Sequence, residues 1–512
     1  KVLNLTLKDV KIDVSDTGDQ YDWDQKGKAA LSVQGKGNVE IELDGDNELK
    51  SGTQSAGLEK TSTGTLTLKD DNNEAGSLTA TGGFNSAGIG GGYLGDGKNI
   101  TITGGTVNAT GGSSGAGIGG GRDGKGENIT ITGGTVNATG NEDGAGIGGG
   151  SSGSGENITI NGGEVTASGG DNWDDCGAGI GGGNGGVGKN ITITGGTVNA
   201  TGGYGGGGAG IGGGSSGSGE NITITDGKVT ATGGSYAAGI GGGSVGAWGG
   251  AEGGSGKNIT INGGTVNATG TDGGAGIGGG ENGNGEDITI NGGKVNASGA
   301  YGGAGIGGGV NGIGSKVTVS GAAQVTATAT GSGPDWSGVG TGATIGNGGS
   351  KTPDGPVDGK EIQADISHLT TGYIHHIIYN PDLDSDGKPD GILKEWWEFA
   401  LPKPIPDGES LDLHVETLKG APLLFNTRQQ GSTLRVTTDN LSARLHGTRQ
   451  ALETLQEQGV EQIEFVTTLK TTTLSVEGLL TEGGSWFALE HDGLASRRLS
   501  AAQAESLKCW RH

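Results

Sequence analysis

The sequence predicts an all-β fold, a right-handed parallel β-solenoid with three short strands per coil, followed by small α+β modules. One motif, Ala-Gly-Ile-Gly-Gly-Gly, recurs eight times with a base spacing of 29 residues and a few insertions, as is typical of solenoids. Apolar and polar residues alternate within each repeat, as they do in strands. Glycine provides 122 of 512 residues and only 30% of the chain is hydrophobic. The core must therefore be thin and shared between neighbouring coils.

Three motifs define each coil. Ala-Gly-Ile-Gly-Gly-Gly begins at Ala87, Ala116, Ala145, Ala178, Ala209, Ala238, Ala275 and Ala304. Asn-Ile-Thr-Ile begins at Asn99, Asn128, Asn157, Asn190, Asn221 and Asn258, and Asp287 opens a seventh copy. A segment of the type Thr-Val-Asn-Ala-Thr follows each of these, usually after Gly-Gly. Each coil therefore has three predicted strands separated by glycine corners.

The alternation within a coil assigns inward and outward side chains. Ile100 and Ile102 point inward from the first strand, Val107 and Ala109 from the second, and the Ala-Gly-Ile motif from the third. Glycine is expected at the corners because it adopts positive φ freely. Stacking pairs each strand in parallel with its copies. The repeated outward asparagines should form a hydrogen-bonded ladder, and the mixed charges just before them should pair between coils.

The repeats give way to other sequence at both ends. We predict degenerate N-terminal capping coils at 1–86, the repeats at 87–349, a linker at 350–360, a small module at 361–424 and an α+β module at 425–512. Within the last module, residues 448–458 predict a helix that ends at Gly459. Residues 460–468 and 472–476 predict strands.

Composition limits the environment and the partners. The formal net charge of −25 makes nucleic acid and anionic membranes unlikely partners, because both would be repelled. No apolar run is long enough to predict a membrane span. Cys176 and Cys509 could be free, paired with each other or paired between molecules. The chain begins at Lys1 within a predicted strand, so we expect a mature or trimmed product of an exported protein.

One acidic segment resembles a calcium-binding loop. Its candidate ligands are Asp382, Asp384, Asp386 and Asp390, with Gly387 at the sharp turn. The bidentate glutamate of an EF-hand is missing, since Leu393 stands in its place. Asp390 or Glu395 could compensate, and the segment then resembles the shorter calcium loops of exported proteins. We predict structural calcium here, with an ordinary Asp/Gly turn as the alternative.

Aromatic residues recur at two positions of the coil outside the core. Phe84, Trp173, Tyr204, Tyr236 and Tyr301 follow the second-strand corner, and Tyr93 and Trp248 follow the third-strand glycines. Exposed rings can stack on sugar faces, and loops on one edge of a solenoid often carry binding. These seven residues are the predicted ligand-binding set. The alternative for each ring is that it covers glycine backbone.

The sequence does not predict an enzyme. Polysaccharide cleavage needs clustered carboxylates, or acids with a basic residue, in one groove. Here the outward strand positions repeat Thr and Asn, and the acidic cluster Asp171, Asp174 and Asp175 lies in a loop. His375 and His376 follow the repeats with no obvious partner. A nonperiodic catalytic site in the C-terminal part is the alternative left open.

The succession Asn-Ile-Thr-Ile-Thr-Gly-Gly-Thr-Val-Asn-Ala-Thr, followed by Gly-Ala-Gly-Ile-Gly-Gly-Gly, resembles the repeats of bacterial secreted proteins described as carbohydrate-binding-domain-containing. Residues 30–43 are similar to that family's β-helix, whose described member binds acidic plant polysaccharide with calcium. The resemblance covers roughly residues 1–350 and implies an extracellular, cell-surface setting. This chain departs from it by its higher glycine content and its lack of repeated carboxylates, so no binding residue is carried over.

Three functions follow from these features. The first is a non-catalytic bacterial surface adhesin that binds a polysaccharide or a host glycan through the loop aromatics. The second is a structural fibre subunit or rigid spacer that self-associates through the solenoid ends or by strand exchange. The third is ice binding through outward threonine rows such as Thr101 and Thr103, which Asn161 and its equivalents interrupt. We rank them in this order.

Overall fold

The computed structural model describes residues 2–22, 24–72, 74–173, 175–244, 253–331, 338–381, 391–399 and 412–507. The chain forms two compact units, the first made of residues 1–365 and 372–398 and the second of 366–371 and 399–512. The predicted fold class is confirmed: a parallel β-solenoid of about 13 turns precedes small sheets with short helices. None of the helices in these ranges has the length and apolar character needed to cross a membrane.

Three stacks of strands, here called sheets A, B and C, form the solenoid, and the repeat strands within each stack pair in parallel. Sheet A contains Val2–Lys8, the first part of Asn38–Lys50, Leu66–Lys69, Gly97–Ile102, Gly126–Ile131, Gly155–Ile160, Gly188–Ile193, Gly219–Ile224, Gly256–Ile261, Gly285–Ile290 and Gly314–Val319. Sheet B contains Lys11–Asp13, the second part of Asn38–Lys50, Gly76–Thr81, Thr106–Thr110, Thr135–Thr139, Glu164–Ser168, Thr197–Thr201, Lys228–Thr232, Thr265–Thr269, Lys294–Ser298, Gln324–Thr330, Tyr373–Tyr379 and Ile392–Phe399. Sheet C contains Leu31–Val33, Leu58–Lys60, Ile89–Gly90, Ile118–Gly119, Ile147–Gly148, Ile180–Gly181, Ile211–Gly212, Ile240–Gly241, Ile277–Gly278, Ile306–Gly307 and Ile345–Gly346.

The core is the thin column of small and branched side chains that the alternation predicted. Ile100, Ile102 and Val107 are fully buried, and Ala109 is 1% exposed. Each residue pairs with its own equivalent in the next coil, as Ile100 does with Ile129. The inward rows of identical side chains therefore stack on each other, and each coil is stabilised mainly by its neighbours.

The third side of the coil is a short loop that points inward. The amide of Ala87 donates to the carbonyl of Gly91 at 2.9 Å, and the equivalent bond recurs in later coils. The chain turns at the surface before and after this loop. The leading turns are 84–86, 113–115, 142–144, 171–173 with 175–177, 204–208, 235–237, 272–274 and 301–303. The trailing turns are 93–95, 122–124, 151–153, 184–186, 215–217, 281–283 and 310–312.

Leading and trailing turns of successive coils are joined by backbone hydrogen bonds. The amide of Arg122 donates to the carbonyl of Asn85 at 2.9 Å, and that of Glu281 to the carbonyl of Tyr236 at 2.8 Å. The two columns of turns therefore form one continuous strip along the solenoid. We call this strip, made of all leading and trailing turns, the turn edge.

The asparagine ladder is confirmed on sheet A. The Asn128 amide donates to Asn99 Oδ1 at 3.0 Å and the Asn157 amide to Asn128 Oδ1 at 3.2 Å, and the series continues to Asn258. The ladder residues have φ of 53 to 56°, which the sequence did not reveal. Asparagine tolerates this left-handed conformation better than most residues, so it serves both the turn and the ladder.

Two pairs of the charged residues that precede the ladder bridge neighbouring coils, which confirms the prediction in part, whereas Glu127 and Glu156 face each other with like charges. Lys98 Nζ lies 3.0 Å from Glu127 Oε2, and Lys189 Nζ lies 3.7 Å from Glu220 Oε2. These pairs are solvent-exposed, so each contributes little to stability. They favour the register in which neighbouring coils carry opposite charges.

The stacking continues beyond residue 349, where the sequence repeats were predicted to end. Tyr373–Tyr379 pairs in parallel with Gln324–Thr330 and adds a further strand to sheet B. Within the predicted linker, Ser350–Thr352 and Gly355–Val357 pair as an antiparallel hairpin. The later strand carries Tyr, Ile, His and His where the repeats carry Thr, Val, Asn and Ala, so the motif search missed it.

Among its described residues, the second unit contains two four-stranded sheets and three helices. One sheet holds Leu413–Glu416, Ser442–Thr448, Trp486–Asp492 and Ala495–Arg498, and the other holds Asn426–Gln430, Thr433–Thr437, Gln462–Val466 and Thr471–Ser475. The helices are Arg449–Glu457, Val476–Glu482 and Ala501–Ser506. The predicted helix at 448–458 is confirmed, with Thr448 as its N-cap, and both predicted strands are present.

Replacement of Gly148 by alanine should destabilise the solenoid. Gly148 has φ of 138°, and a Cβ there would lie 1.9 Å from the carbonyl oxygen of Gly181 in the next coil. Because backbone cannot yield as a flexible side chain can, we expect the free energy of unfolding to fall by about 3 kcal/mol or more. Thermal or urea unfolding followed by circular dichroism measures this.

Gly185→Ser is the matched control. Gly185 has φ of 70° and open space around it, and Ser152 occupies the equivalent turn position with φ of 61°. We expect a change within about 1 kcal/mol for this variant. Equal losses in the two variants would contradict the close-approach argument.

Candidate functional site

The turn edge displays the aromatic residues that the sequence selected. Trp173, Tyr204 and Tyr236 lie in the leading turns of three successive coils. Trp173 is 91% exposed and Tyr204 is 65% exposed, whereas Tyr236 is half-buried. The amide of Ser235 donates to the carbonyl of Tyr204 at 2.9 Å, so neighbouring leading turns are in direct contact. Strands of adjacent coils lie about 4.8 Å apart, and the three residues therefore follow one another closely along the edge.

The backbone that carries two of these tyrosines adopts the left-handed conformation. Tyr236 has φ of 64° and Tyr301 has φ of 45°. Tyr236 shares its turn position with Asn85 and Ser114, and Tyr301 shares the position one residue earlier with Glu142 and Asp272, all of them with positive φ. Bulky side chains rarely adopt this conformation, and such positions are more frequent at functional sites. The fold thus keeps two rings at positions where a smaller residue would cost less.

A half-buried group of polar side chains lies beside the exposed rings. Burial and, to a smaller extent, the nearby charges of Asp272 and Glu281 together raise the pKa of Tyr236 to about 12. Burial also raises the pKa of the Asp272 and Glu281 carboxyls. Sequence analysis missed these two acids. The only signal was that they replace Ser or Asn at turn positions.

The loop that carries Trp173 is fixed by a buried thiol. Cys176 is fully buried and free. Its sulfur accepts from the Gly206 amide at 3.0 Å and donates to the carbonyl of Asn172 at 3.1 Å, and burial raises the pKa of the thiol. The Asn172 side chain donates to Asp143 Oδ1 at 3.0 Å in the preceding coil. Of the alternatives for this cysteine, the structure shows the free thiol; Cys509 lies outside the described residues.

The other predicted site residues lie apart from this group or outside the described ranges. Phe84, Tyr93 and Tyr301 are half-buried on coils nearer the ends of the repeats. Trp248 and Asp174 lie outside the described residues, as do the predicted calcium ligands Asp382, Asp384, Asp386 and Asp390. In the part of the chain that the structure describes, no three His, Cys, Asp or Glu side chains converge as a metal site.

His375 and His376, for which the sequence suggested no partner, have several. His375 Nε2 lies 2.6 Å from Glu395 Oε1, and its ring stacks on Trp397 with centroids 3.7 Å apart. His376 stacks on Trp396 with centroids 4.5 Å apart. These partners lie on Ile392–Phe399, about 20 positions later in the chain, and sequence spacing alone could not identify them.

His376 also belongs to a buried polar group. Its Nδ1 lies 2.6 Å from Thr344 Oγ1, and that hydroxyl lies 2.9 Å from Glu361 Oε1. The Thr344 hydroxyl donates its hydrogen to the Glu361 carboxylate, so toward His376 it acts as an acceptor. The neutral tautomer of His376 with its proton on Nδ1 therefore fits best. Nε2 is then an acceptor, 3.7 Å from Glu398 Oε1. Burial lowers the pKa of His376 to about 4, helped by the charges of His375 and Lys394.

This group predicts a loss of stability in acid. An unfolded histidine takes up a proton near pH 6.5, but His376 in the folded chain does so only near pH 4. Its contribution is therefore complete above pH 6.5 and is lost as the pH falls toward 4, by about 2 to 3 kcal/mol. Burial raises the pKa of Glu361 and Glu398, which acts in the opposite direction.

The variant His376→Gln separates the two effects. Glutamine can donate to Thr344 but does not titrate. The stability difference between the native chain and the variant should shrink or reverse between pH 7 and pH 4.5. Urea unfolding followed by tryptophan fluorescence measures it, since Trp396 stacks on His376. A difference that does not depend on pH would show that His376 is not the group responsible.

Comparison with known families supports the repeat assignment. Eight segments match the model described as beta helix repeat, at residues 74–93, 100–122, 129–151, 158–184, 191–215, 222–244, 259–281 and 288–310. Most of these segments run from a sheet A strand through sheet B and the leading turn to the trailing turn. Neither the curated proteins nor the solved structures contain a match to this chain.

Proposed function

Because the chain is a β-helix repeat protein, we propose that its turn edge is a binding surface and that the protein is a non-catalytic bacterial surface adhesin for polysaccharide. The observation that carries the proposal is the pair of exposed rings on successive coils, Trp173 and Tyr204. Exposed aromatic side chains of this size cost free energy in water and are enriched at binding sites.

Sugars suit the chemistry of this surface. The faces of aromatic rings pack on the C–H faces of pyranose rings, and polar groups nearby bind the hydroxyls. Tyr236, Asp272 and Glu281 supply such polar groups beside the exposed rings. The net charge of −25 disfavours polyanionic glycan chains at long range, so a neutral glycan is favoured at the turn edge.

The proposed absence of catalysis and the proposed surface location rest on separate observations. Most outward positions of sheets A and B hold threonine or asparagine, and these side chains do not act as general acids or bases. The extracellular setting follows from the family resemblance and from the acidic, glycine-rich composition.

A glycan array on the full chain tests the proposal. We expect selective binding, and a loss of at least about tenfold in affinity for Trp173→Ala and for Tyr204→Ala, equal to about 1.4 kcal/mol each. Both side chains are exposed, so neither replacement should change the unfolding transition. Tyr21→Ala is the matched control, because Tyr21 is 86% exposed but lies outside the turn edge.

Two results would contradict the adhesin proposal. A blank array for the native chain would remove the ligand class. Equal binding by the native chain, Trp173→Ala and Tyr204→Ala would remove the turn edge as the binding surface, even where a glycan is bound elsewhere.

A structural role as a spacer or fibre subunit is the second proposal. The asparagine ladder and the coil-to-coil backbone bonds favour a stiff solenoid. Regular filaments in negatively stained micrographs, together with a blank array, would favour this role over glycan binding.

Calcium binding at the aspartate segment is proposed from the sequence. The carboxylates of Asp382, Asp384 and Asp386 match the opening of a calcium loop. Calcium should raise the unfolding temperature of the native chain at constant ionic strength, but not that of the Asp384→Asn, Asp386→Asn double variant. An identical response of both chains would contradict a site at this segment.

A further inference from the structure

The trailing turns are linked by a repeated backbone hydrogen bond. The amide of the glycine just before a trailing turn donates to the carbonyl of the last glycine of the preceding trailing turn, as Gly121 does to Gly95 at 3.0 Å and Gly150 to Gly124 at 3.1 Å. The same bond recurs at Gly183, Gly214, Gly243, Gly280, Gly309 and Gly348. Gly92 holds the equivalent position in the first regular coil. Among the described residues, its amide has no hydrogen-bond acceptor.

The preceding coil lacks the turn that would supply this acceptor. The chain takes eleven residues from Ile89 to Ile100 but only eight from Leu58 to Leu66, which occupy the equivalent positions. The three missing residues are those that would form a trailing turn. Their absence leaves a cavity of about 380 Å³ at the end of the column, lined in part by Lys60, Ser62, Gly92 and Lys98.

Lys60 supplies a buried positive charge to this cavity. It occupies the place of Gly91 in the regular coil and is 2% exposed. Its Nζ donates to the carbonyl of Ser62 at 2.7 Å, and no carboxylate of the described residues lies within ion-pair distance of it. Burial lowers the pKa of Lys60. Ser62 Oγ is buried and also has no hydrogen-bond partner among the described residues.

The other charges around the cavity are already paired. Lys98 Nζ lies 3.1 Å from Asp96 Oδ2, and Glu59 Oε2 lies 3.6 Å from Lys26 Nζ. Lys60 is therefore the cation whose charge is left for a ligand. Its ammonium, the Ser62 hydroxyl and the Gly92 amide all donate hydrogen bonds, and three donors around one cavity match an oxyanion.

We propose that this cavity binds a small oxyanion, with one oxygen in the place of the missing carbonyl and in contact with Lys60, Ser62 and Gly92. The ligand is a free inorganic oxyanion, or a carboxylate carried by a larger molecule. Either ligand neutralises the buried ammonium and accepts from the donors that the shortened coil leaves open. The site is independent of the proposed glycan binding by the turn edge, since it uses none of the exposed rings.

Titration calorimetry of the full chain with sulfate, phosphate and acetate, at constant ionic strength, tests the proposal. We expect saturable binding of at least one of these anions, and at least tenfold weaker binding by Lys60→Met. Methionine keeps the length of the side chain and removes a charge that burial penalises, so the variant should fold. Lys257→Met is the matched control, because Lys257 is exposed and distant in sequence, and it should bind as the native chain does.

Further measurements identify the class of the bound anion and control for a variant that fails to fold. Preference for acetate over sulfate indicates a carboxylate ligand, and the reverse indicates an inorganic ion. Ser62→Ala should weaken binding severalfold without disturbing the fold, and it decides the matter if Lys60→Met does not fold. Selenate soaked into crystals should give an anomalous peak beside Lys60. The proposal is overturned if the native chain shows no saturable binding. It is also overturned if Ser62→Ala binds as tightly as the native chain while Lys60→Met either binds equally well or does not fold.

Discussion

The solenoid depends on how closely the backbone of one coil approaches the next. At Gly119, Gly148 and Gly181 a Cβ would lie about 1.9 Å from a carbonyl oxygen of the neighbouring coil. Only glycine allows this approach, and it lets the inward loop of each coil bond to its copies. The amide of Ile118, for example, donates to the carbonyl of Gly146 at 3.0 Å. Backbone bonding thereby replaces much of the apolar burial that a globular domain of this length would need.

Much of this architecture could be predicted because the repeat makes each local signal occur many times. Ile100 and Ile102 were placed in the core, and Asn128 was placed in a ladder with Asn99, from alternation and spacing alone. The features that could not be predicted depend on contacts that do not recur from coil to coil. His376 meets Thr344 and Trp396 from segments 32 and 20 positions away, and no local pattern marks those pairings.

The candidate site was predictable to a similar extent. The position of Trp173 and Tyr204 in the coil indicated exposure, and both are exposed. The same position did not indicate that Tyr236 is half-buried beside Asp272. The difference arises because the exposure of a ring depends on the length of the turn that carries it. The leading turns 171–173 with 175–177 and 204–208 are longer than 235–237, and the longer turns carry their rings farther into solvent.

Chemistry in this molecule is concentrated where the repetition stops. Inside the described repeats, most backbone donors of the strands find the same acceptor one coil away, so groups that can bind a ligand come from side chains of the turns. At Asp287 the ladder side chain becomes an acceptor only, and it pairs with Lys316 at 3.2 Å instead. At Lys60 a shortened coil removes an acceptor and adds a buried charge. In a solenoid of near-identical coils we therefore expect specific binding where the length of a single turn changes, while the stack that supports the turn stays constant.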